Sequence, residues 1–305
     1  MKTVDPDTLS GDAQPVVTPA PSGPPPALLF EMLRSFVTLA RTLNISHAVN
    51  EMGSTRQTLR RHIAQLEELK GGALFEVNDR RYALSPLGEQ LLPEAEVLIA
   101  QAQAWIDGSS SLQNGLQYLR RHDDTGWMYC QQQHPIGKVL KSTGEMLRDC
   151  LRAWAESGGD IEHEAMRRMR PYGQIFRRSD GEWRFTEVGE LSSVTRLLGL
   201  DFARSTIGRS LGEMPGGKGF DRLAKQAYAE VEITQGLRLD HCLTVLPQSE
   251  YGKNTPVSFE RLLMGSWFAD GSFAVFSAVR LTYDVEIVGV SQDLLRSMPG
   301  GFVME

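Results

Sequence analysis

The sequence has only three cysteines, Cys130, Cys150 and Cys242, among its 305 residues. They are too few and too scattered to staple a disulfide framework, which fits a reducing compartment. No apolar run approaches the roughly twenty residues that a membrane-spanning helix needs, so no membrane partner is expected. Met1 to Pro26 lacks the basic start and apolar centre of a signal peptide, and its Pro, Asp, Thr and Gly content predicts a disordered tail over 1–27. A cytoplasmic location follows as an expectation. Catalytic pairings are missing too: no nucleophile and base, and no two carboxylates, stand at a working spacing. The expectation is a protein that is not an enzyme, and nothing specifies a cofactor.

Metal-binding patterns are equally thin. Asp240-His241-Cys242 draws the eye, but on a strand His241 points away from both neighbours, so the three cannot converge on one ion. Cys130 and His134 have ligand-like spacing without a second pair. Gly212 to Gly219 is glycine-rich around Lys218, yet no strand feeds it and the order of a phosphate loop is absent, so a loop is expected. An excess of positive charge is also lacking, since the formal charge is −6. The charge is unevenly spread, however. Leu28 to Pro86 holds Arg34, Arg41, Arg56, Arg60, Arg61, Lys70, Arg80 and Arg81 against Glu31, Glu51, Glu67, Glu68, Glu76 and Asp79, a local +2 that leaves −8 for the remainder. Local charge at a phosphate-facing surface matters more than the total.

That basic segment also carries the clearest pattern in the chain. After a first helix from Leu28 to about Leu43, Ile45, Ala48, Val49 and Met52 recur at helical spacing. Gly53-Ser54-Thr55 turns into a second helix, with Thr55 as its N-cap. Leu59, Ile63, Leu66 and Leu69 face inward, leaving Arg56, Gln57, Arg60, Arg61 and His62 outside. Leu74-Phe75 and Tyr82-Ala83-Leu84 bracket Asn78-Asp79-Arg80-Arg81, a hairpin tip with two arginines. A helix with Arg and Gln near its N-terminus suits the major groove, and the hairpin is a wing. Thr55, Arg56, Gln57, Thr58, Arg60, Arg61, Arg80 and Arg81 are the expected DNA contacts.

Asn44 to Leu92 resembles the DNA-binding domain of LysR-type transcriptional regulators. The residues that carry the resemblance are the Ala48 helix, Thr55, Arg61-His62-Ile63-Ala64-Gln65-Leu66-Glu67, Leu74-Phe75 and Leu84-Ser85-Pro86-Leu87-Gly88. The chain departs from the family's pattern at Arg56-Gln57, where Gln-Pro is usual, and at Arg60, where a small serine is common. The resemblance implies a double-stranded operator, a homodimer or higher homo-oligomer, and a dimerising helix behind the reader. Gly88 to about Leu119 reads as that helix, a linker over 89–121 with Leu91, Leu98, Ala102, Trp105 and Leu112 in its seam. Gly108 allows a break.

The remainder reads as a connecting segment over 122–171, with a helix from Lys138 to Ala155 and a short one from Ile161 to Met169. An α/β domain with an antiparallel sheet over 172–290 and a tail over 291–305 follow. Two strands, short helices, a long helix from Phe220 to Thr234 and three more strands with a turn at Asp270-Gly271 make the element order of a PAS sensor domain. Phe185-Thr186-Glu187-Val188-Gly189-Glu190, Ile207-Gly208-Arg209-Ser210-Leu211 and Phe259-Glu260-Arg261-Leu262-Leu263 resemble bacterial PAS-like domains. The two-lobed effector domain usual in LysR-type regulators is not legible. The fold class expected is α+β: a helical winged helix-turn-helix, a long helix, then the PAS-like domain. Phe185, Val188, Leu197, Phe202, Ile207, Phe220, Leu223, Tyr228, Leu262, Met264, Trp267 and Phe276 are the expected pocket residues, although ordinary core packing would explain each. Two functions stay open: a regulator sensing a small-molecule effector, and a DNA-binding regulator whose second domain only oligomerises or docks a protein. An enzyme fused to a DNA reader would need a constellation that the sequence does not show.

Overall fold

The computed structural model describes residues 28–78, 81–122, 126–141, 144–179, 181–214, 217–246 and 254–304. The expected tail over 1–27, together with Arg80, lies outside the described residues. Three helices open the described residues: α1 (Leu29–Thr42), α2 (Ile45–Met52) and α3 (Arg56–Lys70). The Asn44 side chain caps α2 by accepting from the amides of Ser46 and His47, and Thr55 caps α3 by accepting from Thr58 N at 3.1 Å. Phe36, Leu39, Ala48, Leu59, Ile63 and Leu66 fill the space among them. The antiparallel wing, β1 (Phe75–Asn78) and β2 (Arg81–Leu84), closes the unit. The next helix, α4 (Pro86–Ile106), crosses it so closely that a Cβ on Gly88 would lie 2.1 Å from the Leu74 carbonyl oxygen.

The sequence predicts one helix to about Leu119, but α4 ends at Ile106. Ser110–Gln113 and Leu116–His122 are instead strands β3 and β4, joined by Asn114-Gly115. Both turn residues have positive φ, 53° and 79°, the geometry for which Asn-Gly is suited in a two-residue hairpin. The local turn chemistry overrides the heptad spacing. The expected connecting segment over 122–171 likewise contains a strand, β5 (Met128–His134). A 3-10 turn at Ile136–Lys141, where the helix was expected to begin, then leads to α5 (Glu145–Ser157), and the expected short helix follows as α6 (Glu164–Met169).

From here the expected element order appears with shifted ends. Strands β6 (Gly173–Ser179) and β7 (Glu182–Val188) precede the short helices α7 (Ser193–Leu198) and α8 (Leu200–Ser205). The long helix α9 (Gly217–Thr234) starts inside the stretch read as a loop. Strands β8 (Leu237–Leu246), β9 (Thr255–Trp267) and β10 (Phe273–Leu281) follow, then a final short helix α10 (Gln292–Arg296). Eight strands form one sheet in the order β3-β4-β5-β8-β9-β10-β6-β7, with every named pairing antiparallel. One face packs on α5 and α6 through Ile175, Leu262, Met264, Phe276 and Ala278. The other carries Phe176, Trp183, Phe185, Leu263 and Val275 against Tyr228 and Val231 of α9. Helix α4 packs along α9, and Arg178 of β6 pairs with both Glu96 of α4 and Glu232 of α9.

Candidate functional site

Two places are candidates for function: the outer surface of α3 with the wing, and a cavity beneath α7 and α9. On α3, Gln57, Arg60 and Arg61 are exposed, while Leu59, Ile63 and Leu66 hold the opposite stripe in the core. Arg56 is also exposed and donates to Ser46 Oγ of α2 at 2.8 Å. The Thr55 and Thr58 hydroxyls meet at 2.9 Å. Arg81 is exposed on the wing. His62 does not join this surface. It is 5% exposed, and its Nδ1 meets Ser35 Oγ of α1 at 2.8 Å, because position 62 lies one turn beyond Leu59 on the inner stripe. Leu69, expected inside, is 37% exposed in the last turn.

The expected seam residues divide. Leu91 packs partly against the core of the first unit, whereas Leu98 and Trp105 are exposed on α4, and Ala102 is half-buried. Leu112 is exposed but stands on β3, not on the helix, because the chain has already turned into the hairpin.

The cavity, of about 130 Å³, lies between the α9 face of the sheet and α7. Phe185 and Tyr228 line it, as does Leu197 from α7, with Phe176, Phe259, Val257, Val279 and Leu281. Leu262, Met264 and Phe276 lie on the other face of the sheet, against α5 and α6. Trp267 is at the end of β9, where Ile161 N donates to its carbonyl, and the half-buried Phe202 is not among the lining residues. The reason is parity. Side chains alternate along a strand, so Arg261 and Leu263 face α9 while Leu262 cannot. The Phe220 side chain lies outside the described residues.

Sequence reasoning missed the polar part of this cavity. Gln174, Ser193, Thr244, Arg261 and Ser277 all line it. Behind it runs a buried network. Arg238 and Arg261 both bond the carboxylate of Asp240, at 3.0 and 2.9 Å, Arg261 also donates to Gln131 Oε1 at 3.0 Å, and Arg238 pairs with Glu230. The Arg261 guanidinium stands 5.7 Å from the centre of the Tyr228 ring, and burial pushes the Tyr228 phenol above its ordinary range. The signal was present as Arg, Asp and Gln inside strand sequences, where a buried charge needs a partner. Asp240 meets Arg261 and Cys242 packs with Val257 and Phe259 on the cavity side of the sheet, whereas His241 points the opposite way, its ring centre 4.1 Å from that of His134. Burial pushes all three thiols up: Cys130 to about 11, Cys150 and Cys242 to about 12.

Comparison with known proteins places the first of these two regions. Residues 30–89 match the family model described as bacterial regulatory helix-turn-helix protein, lysR family. The HTH-type transcriptional regulator EstR of Acinetobacter baylyi is 42% identical over 71 residues, which are 23% of this chain and 24% of that protein. A probable hydrogen peroxide-inducible genes activator of Mycobacterium avium is 37% identical over 73 residues, 24% of each chain. Among solved structures, a CbnR_DBD-DNA complex is 25% identical and covers 26% of this chain and 92% of that one, with a TM-score of 0.25. The matched segments thus span about a quarter of the length of these two curated relatives. The winged helix-turn-helix of this chain is thus similar to the lysR-family helix-turn-helix over residues 30–89, and it is followed by an antiparallel-sheet domain of mixed α/β content.

Proposed function

We propose that this chain is a cytoplasmic transcriptional regulator that binds a double-stranded DNA operator as a homodimer and adjusts that binding to a small molecule held by a PAS-like sensor domain. The observation that carries the DNA reading is the surface of α3: Arg56, Gln57, Arg60 and Arg61 project from a helix whose opposite stripe is locked in a LysR-type core. Residues 28–88 are the reader, 89–121 the linker, 122–171 a connecting segment and 172–290 the sensor, with a tail over 291–305. Strands β3 to β5 extend the sensor's sheet. Thr55 and Thr58 fix the start of the recognition helix, and Arg80 and Arg81 place the wing on phosphate or in the minor groove.

The element order from β6 to β10 supports the PAS-like reading, and the cavity supports sensing. A physical route joins it to the reader: α9 supplies Tyr228 to the cavity, and its other contacts include α4, held by the Arg178 bridge. An effector shifts DNA binding only by binding two arrangements of this junction unequally. Thiol chemistry is a poorer fit. Buried, protonated cysteines are weak nucleophiles at neutral pH, which favours a ligand over direct oxidation.

The test is duplex binding by the full chain, using fragments selected from random sequence, against its Arg56/Arg60/Arg61 triple-alanine variant. The variant is expected to keep its fold and lose tight binding. Equal affinity would remove α3 as the reading surface. If the wild-type chain binds duplex but no small molecule alters it, the second domain acts as an oligomerisation or protein-docking module instead.

A further inference from the structure

The cavity has two unlike ends. Ser277 pairs with Gln174 on one side and with Leu263 on the other, and Arg261 pairs with Val279, so register crowds Gln174, Ser277 and Arg261 together on neighbouring strands. Tyr228 closes this end from α9. Farther along, Val257, Phe259 and Leu281 make an apolar end. Arg261 is 3% exposed; its Nη2 is occupied by Gln131 and Asp240, but its Nε–H is buried with no hydrogen-bond partner among the described residues. A buried donor without an acceptor is costly, and an acceptor supplied by a ligand would relieve that cost.

We infer that the cavity takes a neutral monocyclic aromatic molecule of about benzene's bulk carrying one acceptor oxygen, a phenol in the simplest case, with that oxygen accepting from Arg261 Nε–H. This rests on the sensing reading above and names the chemistry of its effector. Size comes from the volume, about 130 Å³ here, where an apolar cavity of about 150 Å³ takes one benzene. Aromaticity comes from the walls: Phe176, Phe185, Phe259 and Tyr228 offer ring edges and faces to a ring between them. Neutrality comes from the charge already present. Asp240 neutralises Arg261, and Arg238 is shared between Asp240 and Glu230, so no spare cation remains in this network for a buried carboxylate.

The experiment is calorimetric titration of the full chain with phenol, benzene and benzoate, followed by duplex affinity at saturating ligand. Phenol is expected to bind at least ~10-fold more tightly than benzene, as one good hydrogen bond allows. Benzoate is expected to bind at least ~100-fold more weakly than phenol, because its charge must be desolvated. Val279→Phe, which fills the cavity beside Arg261, is expected to abolish phenol binding, and Arg261→Lys, which keeps the charge facing Asp240, to erase the preference for phenol over benzene. Should either variant fail to fold, the wild-type ligand series still decides. Benzoate binding as tightly as phenol, benzene matching phenol, or phenol binding that survives in folded Val279→Phe would each overturn the assignment. Phenol that binds as expected without moving duplex affinity overturns the sensing reading and keeps the ligand class. Benzoate that shifts duplex affinity while phenol is inert does the reverse.

Discussion

On α3 the side chains of Arg60 and Arg61 are exposed, with no acidic group at ion-pair distance among the described residues. On β8 and β9, Arg238 and Arg261 are 1% and 3% exposed and share the carboxylate of Asp240. The guanidinium is the same and stays charged in both places. What differs is whether the fold has already supplied its anion. An arginine left in water keeps its donors for a phosphate or a base edge, while one taken into a sheet has its donors directed at fixed partners. Residue type alone therefore does not separate the exposed surface of α3 from the interior of the sheet; burial and pairing do.

The hardest test of that contrast is Asp240→Asn. Asparagine keeps the shape but removes the charge that Arg261 and Arg238 share, and breaking a buried pair by removing one partner costs about 3–5 kcal/mol. Urea unfolding of the variant is expected to show a loss of that order. A midpoint within error of the parent would mean that Glu230 and the neighbouring amides neutralise both cations without Asp240.

Acid provides the second test, on a buried group of the sheet's other face. His134 is 8% exposed, and its Nε2–H donates to the Glu286 carbonyl at 2.9 Å. Burial, then the neighbouring His241, pushes its pKa from the ordinary 6.5 down to about 4. A pKa lowered by folding means that the neutral form is favoured in the native state. Its stabilising contribution is therefore complete above the unfolded value and lost as pH falls through about 4. His134→Gln, which retains a donor but cannot titrate, is expected to flatten the acid limb between pH 6.5 and 4 by on the order of 3 kcal/mol. An unchanged slope would place the acid response on other groups.

How much of this was legible in the sequence follows the same division. The reader was legible because α1 to α3 are amphipathic, with caps at Asn44 and Thr55 marking their starts. His62 was misplaced since a histidine suits either stripe, and the Ser35 hydroxyl that fixes it inside is 27 residues away. The order from β6 to β10 was legible from turns and β-rich runs. The pocket was only half legible, because β9 and β10 are covered on both faces and their sequences do not alternate between apolar and polar. Without that alternation Leu262 and Phe276 are as plausible toward α9 as Leu263 and Val275. Strands β3 and β4 were missed because leucines at heptad spacing outweighed the Asn114-Gly115 turn, and β5 because its Gln131-Gln132-Gln133 run reads as a polar connection.

On the exposed side of the comparison, Arg60 and Arg81 should separate two kinds of contact. Arg60→Ala is expected to cost about 1–3 kcal/mol on the selected duplex and to relax preference at one base position, whereas Arg81→Ala should weaken all duplexes evenly and reduce the salt slope by ~1. Binding titrations at several salt concentrations read both. Equal loss on every sequence for Arg60→Ala would move it from base contact to phosphate contact.

The smallest effect on the fold itself is expected at the junction between the two regions. Trp105 is 75% exposed on α4, in the same helix as Leu98 at 45% and Ile106 at 65%. Apolar side chains presented this openly contribute little to one chain, and a surface substitution there usually changes stability within about ±0.5 kcal/mol. If two copies meet along α4, however, the same side chains are buried in the dimer, and a carboxylate placed among them must be desolvated without a partner. Trp105→Glu is therefore expected to unfold at nearly the parent's midpoint under dissociating dilution, yet to sediment as a monomer at concentrations where the parent is a dimer. Because two-fold sites need paired readers, it should lose tight duplex binding in step with the dimer. A Trp105→Glu chain that remains dimeric and binds normally would move the interface away from this end of α4, leaving the α3 surface intact but its pairing to be sought on the sheet.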